Sequence, residues 1–98
     1  MRRGELRLSQ DQITRVVQTA HRHGAGKVRV FGSVSRGTST GESDLDLLVE
    51  MEAGRDLFDL VALKQELEES LGRRVDVVTE NSLSPHVREA VLSEAVPI

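Results

Sequence analysis

The chain has no cysteine, no tryptophan and no tyrosine, and its only aromatic residues are Phe31 and Phe58. Without cysteine, zinc-finger and thiol chemistry are excluded. Two aromatic side chains are too few for a single-stranded nucleic-acid platform built on base stacking, so direct nucleic-acid binding is not expected. No run approaches the roughly 20 apolar residues that a membrane span requires. Residues 1–8 are Arg-rich and lack the apolar stretch of a secretory signal, so a cytoplasmic location without membrane association is expected. At 98 residues, 38% apolar and 30% charged, the chain has the composition of one globular domain, residues 1–98, with a modest core.

The charge that is present is unevenly placed. The net −3 divides into +6 over residues 1–41 and −9 over residues 42–98. A basic half can receive a polyanion and an acidic half a metal or a basic partner, although uneven solvated surface charge reads equally well.

Residues 9–23 predict a helix with a marked start. Ser9 and Gln12 have capping-box spacing, and Leu8 with Ile13 matches a hydrophobic staple. Ile13, Val16, Val17 and Ala20 then form one stripe, and Gly24 is a natural stop. Val28–Phe31 predicts a short strand, with Val28 and Val30 on one face. After a Gly, Ser and Thr-rich loop, Asp44–Met51 predicts a second strand whose alternation separates Leu45, Leu47 and Val49 from Asp44, Asp46 and Leu48. A helix is expected over 56–71, with Asp56 as N-cap, an apolar stripe of Leu57, Leu60, Val61, Leu67 and Leu71, and Gly72 as stop. Arg74–Thr79 reads as a third strand. Ser84-Pro85 opens a last helix, with Val87, Ala90, Val91 and Ala95 facing inward and Pro97 ending it.

Only ten residues separate Ser33 from Asp44, too few for a parallel crossover, so the first two strands should be antiparallel. The span from Met51 to Arg74 has room for a helical crossover, which permits the second and third strands to be parallel. The expected architecture is α+β, a small mixed sheet of three to four strands with helices packed on one face. It brings Asp76 to the same sheet end as Asp44 and Asp46, beside the Gly32-Ser33 turn.

A Gly-Ser turn can offer backbone N–H groups and a hydroxyl to a phosphate, and two carboxylates one residue apart can hold a divalent metal. The acids carry a cost: strand residues i and i+2 lie about 7 Å apart, where two unit charges repel by roughly 2 kcal/mol at an effective dielectric of 20. Aspartate is also a poor strand former. A divalent cation would convert that repulsion into binding.

Gly32-Ser33, ten residues, then Asp44-Leu45-Asp46 resembles the GS-x10-DxD signature of the nucleotidyltransferase superfamily that includes DNA polymerase beta. With typical residue usage, such a match arises by chance in roughly one chain per thousand of this length. The short chain is similar to the minimal nucleotidyltransferase (MNT) group, domains that often act as antitoxins beside a HEPN-type toxin. The resemblance extends over nearly the whole chain and implies a nucleotidyltransferase fold. It also implies that Asp44 and Asp46 are the metal-binding pair and Asp76 the third carboxylate, with Glu80 and Glu50 as possible substitutes for the last. Gly32 and Ser33 would be the phosphate-binding turn and Arg36 a basic residue just beyond it, whereas Val34 stands where many relatives have Arg. The implied cofactors are two Mg²⁺ ions, with ATP as substrate.

The implied reaction is transfer of AMP to a hydroxyl, a tyrosine of the partner HEPN-type toxin, which silences the toxin. Two alternatives stand beside it. One is transfer to a small molecule such as an aminoglycoside, by enzymes that carry an added domain. The other is a non-catalytic antitoxin that acts by binding alone. His21 and His23 at a helix end read as partners of the helix dipole rather than as metal ligands.

Overall fold

The computed structural model describes residues 8–32 and 44–98; Ser33 and Arg36 of the implied phosphate site lie outside the described residues. Helix α1, Gln10–Arg22, starts at the expected capping box: the Ser9 hydroxyl accepts from the Gln12 amide at 3.1 Å, and the Gln12 side chain accepts from the Ser9 amide at 3.0 Å. Val16, Thr19 and Ala20 are its buried residues, and Leu8 packs against the core from beyond the cap. The turn out of α1 uses Gly24 at φ +87°, where a β-carbon would run into the Arg55 side chain.

Strand β1 is Ala25–Phe31, three residues longer at its start than the sequence pattern suggests. The pairing shifts between Ala25 and Lys27, so Gly26 sits in an irregularity that a glycine tolerates and that hides the strand from a periodicity reading. Strand β2, Leu45–Met51, pairs with β1 antiparallel, from Ala25 opposite Met51 to Phe31 opposite Asp46. Helix α2, Leu57–Leu71, crosses over to strand β3, Val75–Val78, which pairs with β2 in parallel. Both expected strand orientations are therefore present.

At the N-terminus of α2, Asp56 accepts from the amides of Phe58 and Asp59 at 3.0 and 3.2 Å, and Asp59 returns the bond to the Asp56 amide at 3.0 Å. Gly72 closes the helix at φ +66°. The buried stripe differs from the expected one. Leu63 and Leu67 are completely buried, Leu60 and Leu71 partly so, whereas Leu57, Phe58 and Val61 are exposed, Phe58 by 84%. Positions 60, 63, 67 and 71 form one continuous helical face, and the first turn, with Leu57 and Phe58, does not share in the burial.

After a 3-10 turn at Glu80–Ser82, helix α3 spans Pro85–Glu94, capped by Ser84 with Pro85 in its first turn. Of the residues expected to face inward, Val91 is buried, but Val87 and Ala90 are exposed. The helix ends at Glu94 rather than running on to Pro97. Val96–Pro97 instead forms a two-residue strand, β4, antiparallel to β1, with Val30 opposite Val96 and Arg29 opposite Pro97. A residue before proline is pushed out of helical conformation, and proline is tolerated at a sheet edge.

The sheet order is β3-β2-β1-β4. Val28 and Val30 of β1, Leu45, Leu47 and Val49 of β2 and Val75 of β3 form one core with Val16 and Ala20 of α1 and Leu63 and Leu67 of α2. This is an α+β fold with a mixed sheet, as expected. Among the described residues no helix is long and apolar enough to cross a membrane.

Truncating Leu67 to alanine removes a fully enclosed side chain, and we expect a loss of about 2–5 kcal/mol in urea unfolding. Phe58→Ser, at the exposed start of the same helix, should change stability by no more than about 0.5 kcal/mol. Equal effects of the two changes would contradict the burial pattern.

Candidate active site

The two edges of β2 deliver the site. On one side the β1–β2 ladder ends with Phe31 opposite Asp46, which leaves Gly32 next to the aspartate. On the other side the β2–β3 ladder sets Asp46 opposite Asp76. Neighbouring strands lie about 4.8 Å apart, so the two aspartates stand as near neighbours on one face. Asp44 lies two residues before Asp46 and adds its charge to the same place.

The start of β3 is fixed by a carboxylate of α2. Glu68 Oε2 accepts from the Val75 amide at 3.0 Å and from Lys64 Nζ at 2.8 Å, and these two donors, Lys64 foremost, hold the Glu68 pKa below its ordinary value. The Leu45 amide donates to the Arg74 carbonyl at 2.9 Å. Together these bonds set the row in which Asp46 faces Asp76.

Asp46 is half-buried, and its pKa is raised from 3.8 to about 6. Burial is the largest cause, followed by the charges of Asp76 and Asp44, the hydrogen bond with Asp76, and the charge of Glu94. A partly buried carboxyl among other acids has a raised pKa because its ionised form is poorly solvated and repelled by its neighbours. Arg74 Nε stands 4.0 Å from Asp44 Oδ1, the outer limit of an ion pair, with the arginine almost fully exposed.

Gly32 is fitted tightly against this group. Its φ is +76°, and a β-carbon there would run into Asp46 Oδ2. The position therefore requires glycine both for its backbone angle and for space. The Gly32 amide donates to Glu94 Oε1, at the end of α3, at 2.7 Å. Sequence reasoning missed Glu94, because nothing local marks a helix-end acid as the partner of an amide 62 residues earlier. Beside this contact a cleft of about 340 Å³ runs between Phe31 and the His86, Val87 and Ala90 side of α3.

Of the sequence-derived candidates, Gly32, Asp44, Asp46 and Asp76 converge. Glu50 and Glu80 do not join them. Glu50 is four residues further along β2, about 13 Å away at strand spacing, and lies 3.8 Å from Lys27. Glu80 begins the turn after β3 and its carbonyl accepts from Arg88 Nε at 3.0 Å. His23 is bonded to Glu66 at 2.8 Å, beside Arg22 on the same carboxylate at 2.5 Å, which accounts for it without a metal.

Among the described residues no group of three His, Asp or Glu side chains is placed to hold a metal ion. The donor chemistry nonetheless fits Mg²⁺. Asp44, Asp46 and Asp76 offer only hard oxygen donors, and Asp46 sits amid the excess negative charge that a divalent cation would neutralise.

A crowded acid pair of this kind beside a glycine turn is the equipment of metal-assisted phosphoryl or nucleotidyl transfer. The sequence profile of the Nucleotidyltransferase domain matches residues 11–98, and the chain belongs to that family. It is a nucleotidyltransferase of the minimal kind. It is 43% identical over 84 residues to a Methanocaldococcus jannaschii protein named as a candidate protein adenylyltransferase, a match covering 86% of this chain and 90% of that one. It is 38% identical over 86 residues to the protein adenylyltransferase MntA of Thermococcus cleftensis, covering 82% and 87%. A solved structure described as a candidate minimal nucleotidyltransferase is 52% identical, with a TM-score of 0.82 over 91% of each chain. A solved toxin-antitoxin with AMP-PNP is 25% identical, with a TM-score of 0.75 over 92% of this chain and 72% of the matched one.

The raised pKa has a consequence for stability. Between pH 4 and pH 6 the native state holds a proton that the unfolded chain has released, so the contribution of Asp46 is full below about pH 4 and is lost as pH rises through about 6. With chelator present, Asp46→Asn should melt higher than the parent at pH 7.5, by about 5 °C once solvent screening of a half-buried carboxyl is allowed for. The difference should close towards pH 4. A gap that is constant with pH in thermal melts would count against a strained Asp46.

Proposed function

We propose that this protein transfers AMP from ATP to a tyrosine hydroxyl of a HEPN-type toxin and so acts as its cytoplasmic antitoxin. The observation that carries the reading is the pairing of Asp46 with Asp76 beside the Gly32 turn. The relatives point the same way, since one is named a protein adenylyltransferase and another is a toxin-antitoxin with AMP-PNP. The chain contains no tyrosine of its own, which supports an acceptor tyrosine on another molecule.

In this reading the triphosphate binds on the Gly32-Ser33 turn, with the Ser33 hydroxyl as donor and Arg36 as a basic neighbour. Two Mg²⁺ ions, when bound, would supply neutralisation of the triphosphate and activation of the acceptor hydroxyl. Asp44 and Asp46 would ligate both ions, and Asp76 would ligate one of them from the adjacent strand. The carboxylate of Asp76 would also accept the proton that the acceptor hydroxyl gives up. The acceptor oxygen then bonds to the α-phosphorus, the bond to the bridging oxygen of the β-phosphate breaks, and pyrophosphate leaves.

Incubation with ATP, Mg²⁺ and a HEPN-type toxin from the same genome should add one or more AMP groups to the toxin, read by intact mass. Asp44→Asn and Asp46→Asn should each lower the rate by about 10²–10³-fold, the scale seen when one electrostatic group is removed from a transition state. A double Asn variant that neutralises the toxin as well as the parent does, with no mass change in either case, would replace this reading with antitoxin action by binding. Modification of an aminoglycoside in place of the toxin would redirect it to small-molecule transfer.

A further inference from the structure

We propose that Glu94 is a positioning residue for nucleotide binding: its carboxylate, brought by the end of α3, holds the Gly32 amide and thereby sets the glycine turn against Asp46. The proposal rests on the nucleotidyl-transfer reading above and assigns that reading a residue outside the sequence signature.

Three observations support it. The bond is short, 2.7 Å from the Gly32 amide to Glu94 Oε1, as expected of a charge-assisted hydrogen bond. The backbone it holds has little freedom to change, because Gly32 takes φ +76° and an added β-carbon would run into Asp46 Oδ2. Glu94 also stands two residues before β4, whose pairing with β1 anchors the end of α3 to the strand that leads into Gly32. The turn is thus held from both sides, by the last rows of the β1–β2 ladder and by the end of the final helix.

The test compares the parent protein with Glu94→Gln and Glu94→Ala. Each is titrated with α,β-methylene ATP and Mg²⁺ by calorimetry, and the Gly32 amide is followed by ¹⁵N NMR. Glu94→Ala should raise Kd about tenfold, the scale of one lost charge-assisted bond. Its Gly32 resonance should move upfield. Glu94→Gln keeps an acceptor of the same length and should remain within about threefold of the parent Kd, with the Gly32 resonance largely retained. If the alanine variant is unstable, Glu94→Met, which keeps the apolar stem, takes its place. An unchanged or lower Kd without the carboxylate would overturn the proposal and mark Glu94 as a competitor of phosphate. A glutamine variant as weak as alanine would also overturn it, because the bond would not be what matters. Failure of the parent itself to bind the analogue would overturn the nucleotidyl-transfer reading and this inference with it, an outcome separate from a difference among variants.

Discussion

The site depends on the parallel register between β2 and β3. Four rows are paired, Leu45 with Val75, Asp46 with Asp76, Leu47 with Val77 and Leu48 with Val78. Because side chains alternate, the rows that put Leu45 and Val75 into the core also put the two aspartates together on the other face. A slip of one residue would send Asp76 towards the apolar core and Val75 or Val77 out of it. The helix crossover makes the parallel pairing possible, and Glu68, bonded to both Lys64 and the Val75 amide, ties the end of that crossover to the first row. Core packing and active-site geometry are therefore one constraint satisfied on two faces of the same ladder.

The two faces differ in what they contribute. The apolar face is closed, with Leu45, Leu47, Leu63, Leu67 and Val75 fully buried. The acidic face works against the fold, since Asp46 retains a proton well above the ordinary carboxylate range and is surrounded by like charge. Natural proteins place such locally unfavourable groups where they bind or react, and the rest of the structure offsets them. A divalent cation on this face would remove the conflict.

Much of this is legible in the sequence where the signal is local. The capping box of Ser9 and Gln12, the Asp56 cap and the Gly72 stop bound the first two helices to within a residue or so, and strand parity alone assigns Asp44 and Asp46 to one face. What is not legible is what tertiary packing decides. Gly26 conceals the start of β1 inside a pairing irregularity. The expected stripe on α2 is misplaced because Leu57 and Val61 look as apolar as Leu63, and only the position of the sheet beneath the helix distinguishes them. The last residues continue a helical pattern in composition, but pairing to β1 draws Val96 and Pro97 into the sheet. Glu94 is unreadable for the same reason, since its partner lies at the far end of β1.

The tight seat of Gly32 against Asp46 makes position 32 a marker of competence that is independent of the acids. Any β-carbon there would displace the Asp46 carboxylate or force the backbone from its positive φ. A related chain could thus keep both aspartates of the signature and still have lost the geometry they need. For sorting working members of the family from idle ones, the residue with no side chain is as informative as the residues that carry the charge.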